Sequence, residues 1–302
     1  MKLLFFGNWQ LGILKDGHVV DATQALPHVG ILKPEHQIEM VIEEFDRLKP
    51  LFSEILSREA GVAMERVVVR PPLPKPRSLL NAFDNYKDID APIRPLDVFY
   101  KGLGVIGPGE TVELADEPLV ACFHPEPELG VVIGKKGKNL SAANAMDIVF
   151  GYVNMIDISA RPDFKKLEAM GGEGGRGPNT LFRGKARDTW APMGPVITTK
   201  DEIGDPHNLR LRLWLNGDLK QDFSTKLMMH RIPDLIAWLT KYITLMPGDV
   251  ISTGCYHIGL TPINDGDTVE MEVEGMERLR FKVKGYGPRK DAHWEPPSMP
   301  RR

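Results

Sequence analysis

The sequence predicts a β-rich α+β fold, and three observations indicate it. Short runs of β-branched and aromatic residues recur along the chain, separated by glycine and proline. Amphipathic helical patterns are few. The strand-like runs do not alternate regularly with helices, which argues against a doubly wound parallel sheet. We therefore expect a mixed β-roll or sandwich with peripheral helices, preceded by a small N-terminal α+β module.

The composition is that of a globular protein able to bury a large core. The chain has 302 residues, of which 42% are hydrophobic and 26% charged, with a net charge of −3. That charge gives no reason to expect nucleic acid or an anionic membrane as partner. Two cysteines, Cys122 and Cys255, are too few for a disulfide framework. No apolar run reaches signal-peptide length or the ~18 residues of a membrane span, so we expect the cytoplasm.

Residues 1–76 form the expected N-terminal module and its connector. Lys15-Asp-Gly-His18, lying between apolar runs, predicts a β-hairpin because Asp-Gly readily adopts the positive φ of a tight turn. Helical spacing over residues 35–59 predicts an amphipathic helix that Pro50 interrupts. Pro71-Pro-Leu-Pro-Lys-Pro76 cannot continue a helix or pair in a central strand, so we expect an extended connector. The predicted domain boundary follows residue 76.

Residues 77–288 form the expected main domain, and residues 289–302 a C-terminal tail. Ser141 is the expected N-cap of a helix over residues 142–149, and Pro233 occupies a first-turn position of a second helix. The tail is rich in proline, lysine and arginine and is expected to lie on the surface or to be disordered. The predicted strands cover residues 119–122, 131–133, 153–158, 209–215, 249–252 and 269–273.

Three carboxylates form the candidate site. Glu126 and Glu128 are two residues apart before a β-branched run, so the period of a strand places both on one face. If the strand-like segment around Asp157 pairs beside that run, it supplies a third carboxylate to the same point. Carboxylates this close repel one another and need a cation, and hard oxygen ligands favour Mg²⁺, Mn²⁺ or Ca²⁺. The alternative is that both glutamates lie on the solvated face of an edge strand.

Five motifs occur in the order typical of one superfamily. They are Glu126-Pro-Glu-Leu-Gly-Val-Val-Ile-Gly-Lys135, Phe150-Gly-Tyr152, Asp157-Ile-Ser-Ala-Arg161, Phe182-Arg-Gly-Lys185 and Met246-Pro-Gly-Asp-Val-Ile-Ser-Thr-Gly254. Over roughly residues 78–283 the chain resembles the fumarylacetoacetate hydrolase (fumarylacetoacetase) superfamily. The resemblance implies the fold of that family's C-terminal domain and a homodimer. It also implies that Glu126, Glu128 and Asp157 hold one divalent metal, Mg²⁺ or Mn²⁺.

The resemblance implies roles for two cationic residues as well. Lys185 matches the lysine of the family's Gly-Lys-Ser motif, although Ala186 replaces the serine, and its ammonium can neutralise a developing enolate or oxyanion. Arg161 matches the family's arginine and can hold a substrate carboxylate by a two-pronged contact. Without the resemblance, Lys185 is more simply a solvated surface charge and Arg161 a structural ion-pair partner.

The general base is where the sequence departs from the family. The family's histidine after Asn-Tyr-x-Asp corresponds to Ile89, which cannot transfer a proton. The family's Thr-Gly-Thr-Pro becomes Thr-Gly-Cys-Tyr, so Cys255 and Tyr256 are expected to face the substrate. The next residue, His257, is a candidate base, with a purely structural histidine as the alternative. The other candidates are Asp90, Glu173 and a metal-bound hydroxide.

A glycine-rich stretch matches a nucleotide-binding motif only in its letters. Gly172-Glu-Gly-Gly-Arg-Gly177 satisfies G-x-G-x-x-G, yet it lacks the preceding strand and the following helix that a dinucleotide site requires. We expect residues 162–180 to form either a mobile loop that closes over the substrate or a plain surface loop.

Together these features predict a divalent-metal-dependent enzyme acting on a small 2-oxo or 1,3-dioxo acid. The first expectation is hydrolysis of a C–C bond in an acylpyruvate-like acid through a metal-stabilised enolate. The same kind of site serves decarboxylation, tautomerisation and dehydration in the family, and the usual base is missing, so these reactions stay open. A non-catalytic protein that binds a small molecule is the alternative from a different class.

Overall fold

The computed structural model describes residues 1–26, 31–87, 91–169 and 180–285. The strands are β1 (Lys2–Phe6), β2 (Gln10–Lys15), β3 (His18–Asp21), β4 (Val62–Ala63), β5 (Val69–Arg70), β6 (Leu79–Ala82), β7 (Val98–Tyr100), β8 (Val105–Ile106), β9 (Thr111–Leu114), β10 (Val120–Ile133), β11 (Val149–Pro162), β12 (Ala191–Pro192), β13 (Ile197–Thr199), β14 (Arg210–Leu215), β15 (Asp218–Ser224), β16 (Val250–Ser252), β17 (Thr268–Val273) and β18 (Leu279–Gly285). The helices are α1 (Pro34–Glu43), α2 (Phe45–Arg58), α3 (Ala142–Ala145), α4 (Phe164–Ala169), α5 (Thr180–Lys185) and α6 (Ile232–Tyr242).

Two mixed sheets organise the described part of the chain. The larger has the strand order β4-β3-β2-β1-β13-β11-β10-β16-β6-β7, with β5 paired to β1. The smaller has the order β15-β14-β17-β18-β9. In these sheets β16 runs parallel to β6 and β18 parallel to β9, while the remaining pairs are antiparallel. This arrangement confirms the predicted β-rich α+β fold.

The centre of the large sheet is a long antiparallel pair, β10 and β11, each of 14 residues. The segments predicted as separate strands at 119–122 and 131–133 are parts of β10, although Pro125 and Pro127 lie between them. The carbonyls of Phe123 and Leu129 accept hydrogen bonds from the N–H groups of Ile263 and Thr253, which lie outside β11. The backbone N–H and C=O groups of odd-numbered β10 residues therefore face away from β11. Because β16 pairs only with residues 130–132, the missing N–H groups of the two prolines interrupt no ladder.

Both faces of the large sheet are covered. Val131 packs into the core that the sheet shares with the second sheet and α6. Its neighbour Val132 packs into the core shared with β1, α1 and α2. The alternation follows the period of a strand, and burial on both faces explains the continuous apolar run in the sequence.

The N-terminal module contains the predicted hairpin. The turn between β2 and β3 has positive φ at Asp16 (48°) and Gly17 (76°), as its sequence requires. The hairpin joins the large sheet because β1 pairs with β13 of the main domain. The boundary after residue 76 stays a prediction.

The helical part of this module differs from the prediction at Pro50. The helix was expected to be interrupted there, but the break lies at Glu44 (φ −103°, ψ 17°), and Pro50 is inside α2. A proline in a helix removes one N–H bond, yet the buried side chains of Leu48 and Phe52 hold this helix against the core.

The peripheral helices begin where the sequence predicted. Ser141 is the N-cap of α3, which ends at Ala145 and continues as a 3₁₀ turn over Met146–Ile148, so the α-helix is shorter than expected. Pro233 lies in the first turn of α6. Within the described ranges, no helix is long and apolar enough to cross a membrane. The predicted tail, residues 289–302, lies outside these ranges.

Candidate metal centre

The three predicted carboxylates meet on the central strand pair. The register of β10 and β11 places Glu126 opposite Asp157, and Glu128 lies two residues further along β10. One carboxylate oxygen from each residue lies within 4.8 Å of the others. Their exposed fractions are 4%, 1% and 2%, respectively. The two glutamates therefore do not lie on the solvated face of an edge strand, because β10 is an interior strand of the sheet.

Glu126 is surrounded by positive charge. The guanidinium of Arg161 pairs with its Oε1, and the ammonium of Lys185 lies 2.7 Å from its Oε2. The hydroxyl of Ser159 donates to the same Oε2 at 2.8 Å. Burial alone would raise the pKa of Glu126, but Arg161 and Lys185 outweigh it and hold this pKa well below its ordinary value. Glu126 is therefore ionised at neutral pH.

Glu128 has neutral donors where Glu126 has cations. Its Oε2 accepts a hydrogen bond from the hydroxyl of Ser252 and another, of 2.8 Å, from the backbone N–H of Gly254. Burial, together with the nearby charges of Asp157 and Glu126, raises the pKa of Glu128 to about 8. In the described part of the chain, no lysine or arginine forms an ion pair with Glu128, and the charge of Lys185 lowers its pKa by less than these influences raise it.

Asp157 lies between two lysines. Lys185 approaches its Oδ2 at 2.7 Å and Lys101 its Oδ1 at 2.8 Å. The Lys101 side chain is fully buried and donates to the backbone carbonyl of Ile158 at 2.9 Å, and burial lowers its pKa. Lys101 was not predicted as a site residue. Its only signal is its position directly after the apolar strand β7, where a single lysine is usually solvated.

The donor set fits a hard divalent cation. Three buried carboxylates offer oxygen ligands at one point, which is the chemistry that Mg²⁺ and Mn²⁺ prefer. Among the described residues, the one partner of Asp157 Oδ1 is the Lys101 ammonium at 2.8 Å, which leaves room on this oxygen for a further positive ligand. The raised pKa of Glu128 points the same way, since a cation bound here would favour its ionised form.

Lys185 ends α5 and reaches into the cluster from the side of β11. Besides its two carboxylate contacts, its ammonium donates to the Ser159 hydroxyl and lies 5.6 Å from the centre of the Phe99 ring. Burial lowers its pKa, but Asp157 and Glu126 outweigh burial, so the net shift is upward. Lys185 is therefore a protonated, largely buried ammonium at neutral pH.

Arg161 is held from two sides. Its Nε donates to Nδ1 of the buried His124 at 3.0 Å, while its Nη2 pairs with Glu126. Burial, and then the charge of Arg161, lowers the pKa of His124 to about 3, so this imidazole stays neutral and can accept that bond. A guanidinium has five N–H donors, and these two contacts leave others for a ligand.

The loop after β16 carries the two predicted substrate-facing residues, and Cys255 lies beside the cluster. Cys255 is buried, and burial beside Glu126 and Glu128 raises its pKa well above the ordinary value, so it is a neutral thiol. The Tyr256 ring packs against the Phe223 ring with centroids 5.8 Å apart. The side-chain amide of Gln221, on β15, donates to the Tyr256 carbonyl at 2.6 Å and to the Ile258 carbonyl at 3.1 Å, which fixes this loop.

His257 lies at the solvent side of the cluster. Its Nε2 is 3.5 Å from Glu126 Oε1, its Nδ1 is 4.0 Å from Asp84 Oδ1, and its side chain is 43% exposed. The loss of solvent around the ring, more than any other influence, lowers its pKa from the ordinary value. The structure thus brings a neutral imidazole next to the carboxylates. The other two side chains proposed for proton transfer, Asp90 and Glu173, lie outside the described residues, as do Ile89 and the glycine-rich stretch 172–177.

The main domain matches a known family. The model of the fumarylacetoacetate hydrolase C-terminal domain matches residues 78–284, which include every residue of the site described above. The chain belongs to the fumarylacetoacetate hydrolase family. The resemblance inferred from the motifs is thereby confirmed.

Curated members of the fumarylacetoacetate hydrolase family align over much of the chain. The 4-hydroxyphenylacetate degradation bifunctional isomerase/decarboxylase of Escherichia coli is 37% identical over 268 residues, 85% of this chain and 59% of that protein. The mitochondrial oxaloacetate tautomerase of Xenopus laevis is 36% identical over 209 residues, 67% of this chain and 62% of that protein. The chain therefore spans about three fifths of the length of these two relatives.

A solved structure of the same family superposes over nearly its whole length. The maleylpyruvate hydrolase from Sphingobium sp. SYK-6, in complex with manganese(II) and pyruvate, gives a TM-score of 0.82 at 28% identity. The superposition covers 94% of this chain and 99% of that one. Members of this enzyme family thus include a hydrolase, a tautomerase and an isomerase/decarboxylase.

Proposed function

We propose that this protein is a divalent-metal-dependent enzyme that cleaves a C–C bond in an acylpyruvate-like 2-oxo or 1,3-dioxo acid by hydrolysis. The observation that carries the proposal is the buried three-carboxylate cluster with Lys185 and Arg161 beside it. A cluster of this kind can bind a cation and an anionic substrate at one point. The superposition on a hydrolase that holds manganese(II) and pyruvate supports this choice of reaction.

The cation would be held by Glu126, Glu128 and Asp157. Once bound, Mg²⁺ or Mn²⁺ supplies a Lewis acid that polarises the carbonyl of a 2-oxo acid. Ser252 and Gly254 orient Glu128 through their hydrogen bonds to its carboxylate. Such second contacts keep a ligand in place before the cation arrives, and they are part of what sets its affinity.

Arg161, Cys255 and Tyr256 are the proposed substrate-binding residues. The guanidinium of Arg161 would bind the substrate carboxylate with the donors that His124 and Glu126 leave available. Cys255 places a neutral thiol where the family usually has a threonine hydroxyl, which removes one strong hydrogen-bond donor from the pocket. A less polar contact at this point would favour substrates with an apolar group there.

Lys185 would stabilise negative charge as the C–C bond breaks. Its ammonium is protonated, nearly buried and fixed by Glu126 and Asp157, so it needs no reorganisation during the reaction. A fixed positive charge in a site with little water acts most strongly on the charge that develops in the transition state.

His257 is the proposed general base. Its neutral ring would take a proton from the attacking water, whose oxygen bonds to the carbonyl carbon remote from the carboxylate. The C–C bond on that carbon breaks, its electron pair forms the enolate of the 2-oxo acid, and this enolate takes up a proton. The products are a carboxylic acid and a shorter 2-oxo acid, so atoms and charges balance.

Tautomerisation or decarboxylation of a 2-oxo acid is the second candidate, and dehydration uses the same kind of site. The family's histidine position holds Ile89, and these reactions need no activated water. The identity of 36–37% to a tautomerase and to an isomerase/decarboxylase also favours them. In this alternative His257 would move a proton on the substrate carbon or oxygen.

One experiment separates these reactions from each other and from simple binding. Chelator-treated protein is mixed with acetylpyruvate or with oxaloacetate, each with and without added Mg²⁺ or Mn²⁺, and the products are followed by NMR. Hydrolysis yields acetate and pyruvate, and decarboxylation yields pyruvate and CO₂. Tautomerisation speeds the approach of the keto and enol forms to their equilibrium, without loss of carbon. Hydrolysis of acetylpyruvate only with metal is the expected result. Binding without turnover in any mixture would contradict an enzyme and support the binding protein.

A homodimer is also proposed, as the family resemblance implies. Two aromatic residues at the β7 edge of the large sheet are exposed, with exposed fractions of 51% for Phe83, which follows β6, and 63% for Tyr100 on β7. Aromatic groups grouped on a surface are typical of interfaces. Light scattering at several concentrations is expected to give twice the monomer mass of 33.8 kDa. The cytoplasmic location stays a prediction.

A further inference from the structure

A carboxylate outside the metal cluster faces the opposite edge of the His257 ring. Asp84 Oδ1 lies 4.0 Å from His257 Nδ1, while His257 Nε2 points to the cluster at 3.5 Å from Glu126 Oε1. The imidazole thus lies between a carboxylate of the metal cluster and a carboxylate outside it. Closing the first gap by roughly 1 Å forms an N–H···O hydrogen bond.

The backbone presents Asp84 at this point by a tight turn. Asp84 follows β6 and has a positive φ of 51°, a conformation that aspartate and asparagine tolerate better than most residues. The N–H of the preceding Phe83 donates to the Asp97 carbonyl at 2.9 Å, which fixes the start of the turn. Because the turn fixes the backbone of Asp84, its carboxylate loses little conformational entropy when it contacts the imidazole.

The turn is bonded to the loop that carries His257. The side-chain amide of Asn85 donates to the Thr253 carbonyl at 2.9 Å and to the His230 carbonyl at 3.0 Å. The Tyr86 hydroxyl lies 3.4 Å from Thr253 Oγ1. Asp84 and His257 therefore belong to two segments that buried hydrogen bonds hold together. The fold thus fixes the relative position of the two residues.

A second charge fixes the Asp84 carboxylate itself. The guanidinium of Arg94 pairs with Oδ2, and this leaves Oδ1 as the oxygen that faces the ring. The charged groups around the imidazole are then Asp84 and Arg94 on its outer side and Glu126, Arg161 and Lys185 on its inner side.

We propose that Asp84 is a positioning residue for His257: it accepts the Nδ1–H of that imidazole and turns the unprotonated Nε2 toward the substrate. This inference rests on the proposed role of His257 in proton transfer. A carboxylate in this place fixes both the tautomer and the orientation of a histidine base. The Asp84–His257 pair thus provides an oriented imidazole on the loop after β16, whereas the family's histidine position holds Ile89 in this sequence.

The first test compares two variants that each break the Asp84–Arg94 ion pair. Asp84→Asn keeps the size and the turn conformation, but its amide can donate to Nδ1 and so favour the wrong tautomer. We expect kcat to fall at least about 10-fold to 100-fold with KM nearly unchanged, the loss typical when the partner that orients a metal-ligating histidine is removed. Arg94→Gln leaves the carboxylate in place and is expected to keep most of the rate. Equal losses in both variants would show that Asp84 serves only the ion pair, and would overturn the proposal.

The second test asks whether Asp84 acts through His257. The same Asp84→Asn change is made in the His257→Gln protein, and its effect on kcat is compared with that in the wild type. A residue that works through the imidazole has no further effect once the imidazole is gone, so the double variant should match His257→Gln within about twofold. A purely structural residue would lower the rate by the same factor in both backgrounds, which would contradict the proposal.

The third test reads the tautomer directly and does not depend on turnover. Protein labelled with ¹⁵N in histidine and loaded with Mg²⁺ is examined by two-bond ¹H–¹⁵N correlation, and the His257 signals are assigned by their absence in His257→Gln. We expect the Nδ1–H tautomer in the wild type and in Arg94→Gln, and its loss in Asp84→Asn. His124 serves as an internal reference of the opposite tautomer, since its Nδ1 accepts from Arg161.

An unchanged His257 tautomer in Asp84→Asn would overturn the inference whatever the rates. If the tautomer shifts as expected while His257→Gln retains full activity, the Asp84 contact stands and the proposed role of His257 fails. The two claims are thereby separated.

Discussion

The two glutamates of the cluster share a strand face and are both buried, yet their electrostatic surroundings are opposite. At the Glu126 end, Arg161 and Lys185 supply positive charge, and the pKa of Glu126 lies well below its ordinary value. At the Glu128 end, the donors are a hydroxyl and a backbone N–H, and the pKa of Glu128 rises to about 8. The chain therefore compensates one carboxylate with its own cations and leaves the other to a proton or a metal.

The difference assigns distinct tasks to the two ends. Positive side chains at the Glu126 end can bind an anionic substrate and stabilise charge, because they are present whether or not a metal is bound. At the Glu128 end, a divalent cation can replace the proton that this carboxyl otherwise retains near neutral pH. If lysine or arginine side chains neutralised all three carboxylates, the site would bind a divalent ion weakly, because those positive side chains would repel the ion.

The largest predicted effects are those of replacing the two glutamates, and the two variants should differ in the stability of the metal-free protein. Glu128→Ala and Glu126→Ala should each lower activity by at least about 10³-fold, because each removes a proposed metal ligand. Only Glu126→Ala should also destabilise the metal-free protein, by roughly 3–5 kcal/mol, because it leaves buried cations without their partner. Glu128→Ala should leave the metal-free protein as stable as the wild type or more so. Thermal and urea unfolding measure this difference.

Glu43→Ala is the matched control, because this glutamate is exposed on α1. It should change neither activity nor stability by a measurable amount. Equal destabilisation by Glu126→Ala and Glu128→Ala would show that the two ends are not electrostatically different.

Removal of the His257 imidazole should have the next largest effect. His257→Gln keeps much of the size and polarity of histidine but cannot accept a proton near neutral pH. We expect kcat to fall about 10²-fold to 10⁴-fold with substrate binding intact. The pKa of His257 is lowered from its ordinary value, so the base is already neutral at pH 7. At saturating metal, activity should therefore decline only at a pH below the ordinary titration range of histidine. A near-normal rate and pH profile in the variant would make His257 structural and would favour chemistry without an activated water.

Loss of the Lys185 ammonium should act on catalysis more than on binding. Lys185→Met keeps the length of the side chain and removes its charge from the Glu126 end. If the charge acts in the transition state, kcat should fall about 10²-fold to 10³-fold and KM should change little. Lys136→Met, at an exposed position, is the control. A rise in KM with kcat unchanged would make Lys185 a simple binding group.

The smallest predicted effect is a pH dependence from the Glu128 end. A group whose pKa is raised in the folded protein contributes stability that is present below its unfolded pKa and is lost as the pH rises through its folded pKa. The pKa of Glu128 rises from its ordinary 4.5 to about 8, so the metal-free protein should lose stability progressively over that interval and lose no more from this group at higher pH. Over the same interval metal affinity should rise about tenfold per pH unit up to about pH 8 and then level off. Glu128→Gln should lack the Glu128-dependent loss of stability, which urea unfolding at several pH values checks.

Much of the cluster followed from local sequence pattern. The spacing of Glu126 and Glu128 fixed their shared face, and Asp157 lies on a segment whose β-branched residues require a strand. Position on a strand, however, does not reveal which lysine is buried. Lys101 follows an apolar strand as many solvated lysines do, and its contact with Asp157 depends on a register that joins distant segments.

Local sequence pattern likewise does not identify the residues that orient Arg161 and His257. His124 and Asp84 have no local pattern that sets them apart, because each acts through a side chain remote in sequence. The fold class was predictable because glycine, proline and apolar runs report local structure. The length of β10 was not, since Pro125 and Pro127 argue against a strand until the direction of their backbone is known. The placement of Pro50 inside α2 depended likewise on the core against which that helix packs.

The central claim is that the uncompensated charge at the Glu128 end, acting with Glu126 and Asp157, binds one divalent cation. Calorimetric titration of chelator-treated protein with Mn²⁺ at pH 8 tests it most directly. The account predicts one ion per chain for the wild type and for Glu43→Ala, and no detectable binding for Glu128→Ala. Unchanged Mn²⁺ affinity in Glu128→Ala, or no binding in the wild type, would contradict it.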